Sequence, residues 1–114
     1  MTLGKRGEEL AISLCRERGL SIVEQNYRTP FGEIDIIARE GDMLVFIEVK
    51  TRLGNSYGTP SEAVTTRKRN KIAKVAISYM KRFRKEVPAR FDVISVSMRG
   101  GKPILEYVQD AFEI

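Results

Sequence analysis

Gly32-Glu33-Ile34-Asp35-Ile36-Ile37-Ala38-Arg39-Glu40-Gly41-Asp42-Met43-Leu44-Val45-Phe46-Ile47-Glu48-Val49-Lys50 decides the fold of this chain. Two runs of strand-forming residues flank Gly41-Asp42, and glycine at the first loop position is what a two-residue type II′ hairpin requires. That closure pairs Glu40 with Met43. Counting outward sets Asp35 opposite Glu48 and Glu33 opposite Lys50. Side chains alternate along a strand, so these four share one face. Opposed residues have Cβ atoms about 5 Å apart, where like charges repel. Two opposed carboxylates beside a lysine make physical sense with a divalent cation between them.

The competing reading is a solvated hairpin, because charges at alternate positions usually face water. Against it, Val45, Ile47 and Val49 make one face of the second strand apolar, while Leu44 and Phe46 do the same for the other. Such a strand is normally buried, and charges on it need partners or a metal. A three-residue loop would instead turn Asp35 to the face opposite Glu48.

With 114 residues, the chain is expected to form one domain over residues 1–114, with a single core and no need of staples. Its N-terminus lacks the apolar run of a signal peptide, and no later stretch would span a bilayer. A cytoplasmic location is expected. The lone Cys15 falls in a helical pattern and reads as a small core side chain. Histidine is absent, which removes histidine triads and histidine-based zinc sites. Chemistry must then run on carboxylates, lysine, arginine and hydroxyls, and a metal would be a hard one held through oxygen. The net charge is +5, and Arg67–Lys85 carries nine of the twenty basic residues and no acid. That pattern favours a polyanion or an acidic surface as partner.

Periodicity predicts a helix over about Thr2 to Arg18 with Gly19 as stop, a strand over Leu20 to Tyr27, and a turn at Thr29-Pro30-Phe31-Gly32 before the hairpin. Thr59-Pro60-Ser61-Glu62 combines a capping box with proline at the first helical position, so a short helical turn is expected at Pro60–Val64. A long helix from about Thr65 to Lys85 follows, with Lys68, Ile72, Val75, Ala76, Tyr79, Met80 and Phe83 on one stripe. Lys68 heads that stripe and is expected to point toward the sheet, while Lys71 and Lys74 lie mostly off it. Two strands, Arg90–Met98 and Pro103–Gln109, form a second hairpin around Gly100-Gly101. The order is α-β-β-β-α-β-β. The loop Arg52–Gly58, leaving the strand that carries Lys50, is placed to touch a substrate.

At Asp35 and Glu48-Val49-Lys50 the pattern resembles the signature of the PD-(D/E)XK superfamily of restriction-endonuclease-like nucleases. More closely, the chain resembles the bacterial YraN-like family. The stretches that carry this are Gly4-x-x-Gly7-Glu8-x-x-Ala11, Asn26-x-Arg28, Gly32-Glu33-Ile34-Asp35, Phe46-Ile47-Glu48-Val49-Lys50-x-Arg52, Tyr57-Gly58-x-Pro60-x-Glu62-Ala63-Val64 and Arg90-Phe91-Asp92-Val93. The proline common before the motif aspartate is Ile34 here. The resemblance implies an α/β, restriction-endonuclease-like fold with a mixed five-stranded sheet flanked by helices. By similarity to archaeal Holliday junction resolvases, it implies that Glu8, Asp35, Glu48 and Lys50 are the active-site residues. Asp35 and Glu48, with Glu8, would hold Mg²⁺ or Mn²⁺, and Lys50 would orient or deprotonate water. Glu33 is expected to position Lys50. Arg28, Arg52, Lys68, Lys71 and Lys74 are expected to contact nucleic-acid phosphates, DNA foremost. A homodimer is expected if the substrate is a branched junction. The function expected is a metal-dependent DNA endonuclease, the alternative a non-catalytic nucleic-acid-binding module that keeps the fold.

Overall fold

The computed structural model describes residues 2–53 and 64–113. Its elements are α1 (Leu3–Glu17), β1 (Ser21–Thr29), β2 (Gly32–Glu40), β3 (Met43–Leu53), α2 (Thr66–Met80), β4 (Ala89–Arg99) and β5 (Lys102–Phe112). The expected order α-β-β-β-α-β-β is therefore the observed one. The five strands form one sheet in sequence order β1-β2-β3-β4-β5. All neighbours run antiparallel except β3 and β4, which are parallel. Parallel neighbours need a long crossover, and α2 lies in it.

Three layers follow from the two-faced apolar strands. Leu44 and Phe46 of β3 pack with Ile72, Val75, Ala76 and Tyr79 of α2. Val45 and Ile47 pack with Ala11, Ile12 and Cys15 of α1 on the other face. Helix α1 opens on Thr2, whose Oγ1 accepts from Lys5 N–H at 3.1 Å. It closes in a Schellman motif: Gly19 takes φ +83°, its N–H donates to Arg16 O at 3.0 Å, and Leu20 N–H donates to Cys15 O at 3.0 Å. Gly7 is interior to α1, where glycine is normally unfavourable. A Cβ there would meet Thr51 Oγ1 at 2.0 Å. Glycine thus lets the helix lie against the end of β3 and brings the next residue, Glu8, with it.

The hairpin closes as the two-residue loop demands. Glu40 pairs with Met43 and Ile36 with Ile47, and Gly41 takes φ +59° while Asp42 keeps a negative φ. The three-residue alternative is thereby overturned. Beyond Ile36↔Ile47 the ladder stops. Ile34 and Ile37 both pack in the α2-side core, whereas Ile36 and Ala38 pack on the α1 side. Strict alternation is broken around Asp35.

Helix α2 ends at Met80, short of the expected Lys85. Arg82 N–H donates to Tyr79 O and Phe83 N–H to Met80 O, the tightened bonds of a closing turn. The guanidinium of Arg82 lies 4.5 Å from the centre of the Tyr79 ring and donates to Tyr27 Oη at 3.1 Å. Continuing the helix would have stacked four cations, Lys81, Arg82, Arg84 and Lys85, with no acid among them. The strands also run longer than predicted: β1 reaches Thr29, and the second hairpin, Arg99↔Lys102 around two positive-φ glycines, spans Ala89 to Phe112. The helical turn expected at Pro60–Val64, Val64 excepted, and the Arg52–Gly58 loop beyond Leu53 lie outside the described residues.

Arg90-Phe91-Asp92-Val93 serves the fold. Asp92 is fully buried and accepts from Arg90 Nε at 3.0 Å and from Asp110 N–H at 2.9 Å, with the Tyr107 hydroxyl as a further donor. Arg90 Nη1 reaches Glu40 Oε1 at 3.0 Å, tying β4 to the end of β2. A buried charge this fully paired is a brace, and removing either partner strands the other.

Candidate metal and nucleic-acid site

The side chains of β2, β3 and α2 converge on a recess of about 400 Å³ lined by Glu33, Asp35, Glu48, Arg67, Lys68 and Lys71, among others. Glu48 sits deep in it, 4% exposed. The Lys68 ammonium, carried in from α2, lies 2.7 Å from Glu48 Oε1, and Lys50 Nζ lies 3.9 Å from the same oxygen. The stripe position of Lys68 does point it at the sheet. Asp35 Oδ2 accepts from Val49 N–H at 2.8 Å, which holds the carboxylate across the break in the ladder. The two carboxyl groups line the same recess.

Their electrostatics follow from this crowding. Burial and then the charge of Glu48 push the Asp35 carboxyl up to about 7, despite the Val49 N–H and Lys68. Burial and the neighbouring Lys68 lower the Lys50 ammonium. Burial would lower Lys68 too, but its hydrogen bond and ion pair with Glu48 outweigh that and raise it.

A second recess, about 520 Å³, adjoins the first through Glu33 and Asp35 and is lined also by Glu8, Asn26, Arg28 and Lys50. Glu8 enters it from α1. Burial, then the charges of Asp35 and Glu33, raise its carboxyl above the ordinary range. Asn26, unforeseen as a site residue although it stands in the Asn26-x-Arg28 stretch, links the two sides. With its amide nitrogen turned inward, it donates to Glu8 Oε1 at 2.7 Å and to Glu33 Oε1 at 2.9 Å. It holds the left-handed φ of +51°, a conformation asparagine tolerates better than most residues.

The expected pairing of Glu33 with Lys50 is not found. Glu33 is engaged by Asn26 and by Arg28, whose Nε is 3.4 Å away, because the β2–β3 ladder ends before reaching it. Arg52 is turned to Ser95, donating to its Oγ at 3.1 Å. Lys71 lines the first recess, whereas Lys74 is exposed and outside both recesses. Cys15 is buried and its thiol is pushed up to about 11 by that burial, in keeping with a core role.

Among the described residues no group of three or more His, Cys, Asp or Glu side chains is arranged to hold a metal ion. The donors at the centre are the pair Asp35 and Glu48. A pair of carboxylates suits Mg²⁺ or Mn²⁺, which bind through one or two protein carboxylates and keep several waters. The protein is thus a three-layer α/β domain with an acid pair and two lysines at the edge where a β-hairpin parts. Among the described residues, no helix is long and apolar enough to cross a membrane.

The chain belongs to the UPF0102, or YraN-like, family: the model of "Uncharacterised protein family UPF0102" matches residues 7–96. It is 46% identical over 110 residues to a UPF0102 protein of Thermodesulfovibrio yellowstonii, covering 96% of this chain and 95% of that one. A UPF0102 protein of Rhodococcus opacus is 44% identical over 114 residues, covering 98% and 97%. One from Syntrophus aciditrophicus is 46% identical over 112 residues, covering 97% and 88%.

Proposed function

We propose that this protein is a Mg²⁺- or Mn²⁺-dependent nuclease that hydrolyses phosphodiester bonds in DNA, branched or otherwise structured DNA foremost. The observation that carries the proposal is the meeting of Asp35, Glu48 and Lys68 on one recess, reached from three separate elements, with Lys50 in the adjoining recess and its ammonium 3.9 Å from Glu48. A cation bound by Asp35 and Glu48 supplies Lewis acidity toward a phosphate oxygen and lowers the pKa of its bound water. Lys50, its charge disfavoured by burial and by Lys68, is suited to orient the attacking water and to take up its proton. Lys68, Lys71 and Arg67 form the cationic wall against which the phosphate backbone rests. Glu8, held by Asn26, adds a carboxylate to the recess that Asp35 also lines, where it would supply a further acidic group to a bound cation. Cutting both strands of a symmetric junction calls for two copies of the chain, a state that light scattering with and without junction DNA measures.

The test is incubation with linear, nicked, flapped and four-way DNA and with RNA, in Mg²⁺, in Mn²⁺ and in chelator. Cleavage in either metal, lost in chelator and in Asp35→Ala, Glu48→Ala and Lys50→Ala, supports the proposal. Binding without cleavage of any substrate would make the protein a nucleic-acid-binding module that keeps the nuclease fold.

A further inference from the structure

Among the described residues, Phe31 is the single aromatic residue in the set of exposed large apolar residues, 54% exposed. It sits on the two-residue turn between β1 and β2, where Thr29 pairs with Gly32. The turn is braced from within: Thr29 Oγ1 accepts from Phe31 N–H at 3.1 Å and donates to Gly32 O at 3.4 Å. Gly32, the next residue, lines the recess of Asp35 and Glu48. It takes φ +146°, and a Cβ on it would lie 3.7 Å from Lys71 Cβ. An apolar ring is therefore held on a braced turn, one residue from Gly32, which lines the recess and lies against Lys71 of α2. Nothing in the fold requires a phenylalanine there, since the ring covers no core.

An exposed ring one residue from a recess walled by Arg67, Lys68 and Lys71 offers the two elements of single-strand recognition, a stacking surface for a base and cations for its backbone. A lipid surface fits less well. On its turn the ring has Pro30 as its one apolar neighbour in sequence, and the recess that begins at Gly32 holds Glu33, Asp35 and Glu48. We infer that Phe31 is a stacking platform for an unpaired base, so that the recess takes nucleic acid with single-stranded character, such as a flap, gap or branch, in preference to continuous duplex. This inference deepens the nuclease proposal and rests on its assignment of the recess to a phosphodiester.

The chain contains no tryptophan, so Phe31→Trp places a unique reporter at this position, on a surface turn where the fold is not at stake. Tryptophan emission is followed in chelator with oligothymidylate, a flapped duplex, a blunt duplex and anionic phospholipid vesicles. Quenching by the single strand and the flap but not by the blunt duplex is expected. Phe31→Ala should weaken single-strand binding about ten-fold or more, as loss of one stacked base implies, and leave duplex binding unchanged. Unquenched emission with single-strand affinity equal in native protein and Phe31→Ala overturns the platform, as does a blue shift on vesicles in place of quenching by DNA. The two proposals separate when cleavage by native protein in Mg²⁺ is set beside quenching of Phe31→Trp in chelator: cleavage without quenching removes the platform and keeps the nuclease, while quenching without cleavage does the reverse.

Discussion

Lys68 places its ammonium 2.7 Å from the Glu48 carboxylate, so a cation from α2 neutralises a buried anion on β3. The pair fastens helix to sheet at the point where chemistry is proposed. It also sets a competition, because a divalent ion bound by Glu48 and Asp35 shares that carboxylate with Lys68. Lys68→Met should lower stability in chelator by about 1–3 kcal/mol, the cost of leaving a buried acceptor short of its partner. Thermal melting should then show a larger rise on adding Mn²⁺ to Lys68→Met than to native protein. An equal rise in both would mean that Lys68 and the ion do not compete.

Asp35 gives the site a pH signature. Its carboxyl stands at about 7 in the fold and near 4 in an unfolded chain. A raised carboxyl binds its proton more tightly when folded, so its contribution to stability is full below about pH 4 and is lost as pH rises through about 7. In chelator, native protein should therefore lose stability across that window. Asp35→Asn, which keeps an oxygen for Val49 N–H, should melt higher than native protein at pH 8 and lack this loss. Urea unfolding from pH 4.5 to 8.5 measures both. A native profile parallel to that of Asp35→Asn would show that Asp35 is not the crowded member of the pair.

Gly7 tests how Glu8 reaches the site. A Cβ at this position would lie 2.0 Å from Thr51 Oγ1, so Gly7→Ala overpacks the contact between α1 and β3. A loss of about 1–3 kcal/mol is expected, against the small gain that alanine usually brings to a helix. Gly7→Ala with Thr51→Ala should recover part of it, and a double-mutant cycle read by urea denaturation gives the coupling. If the two substitutions are additive, the close approach is not what Gly7 serves.

The hairpin was legible because its register is set locally: one glycine at Gly41 selects the turn, and the turn fixes Glu40 against Met43. Asp35 and Glu48 lie one step past the last registered pair, and they meet at the recess with Asp35 held by Val49 N–H rather than by the ladder. Glu33 and Lys50 do not, because the strands part after Ile36↔Ile47 and alternation breaks at Asp35, an event that depends on how Ile34 is drawn into the α2-side core. The end of α2 was equally hidden. Its stopping turn is accompanied by stacking of Arg82 on Tyr79 and a hydrogen bond to Tyr27, a residue 55 positions away. Asn26 could be seen only as part of a spaced motif. Its role requires Glu8 and Glu33 to arrive from different elements, and period-based reading of a single strand carries no such information.

Lys71 and Lys74 lie three residues apart on α2, yet only Lys71 lines the recess beside Gly32. If the recess holds a phosphate backbone, the two should separate in binding. Lys71→Glu should weaken DNA binding across sequences and reduce the slope of log affinity against log salt by about 0.9 on duplex, the loss of one phosphate contact. Lys74→Glu should leave that slope nearly unchanged while changing the net charge by the same amount. Fluorescence anisotropy in Ca²⁺ over a range of salt gives both slopes. Equal losses in the two variants would point to a diffuse attraction by the basic helix as a whole, with the backbone not seated against the wall of Arg67, Lys68 and Lys71.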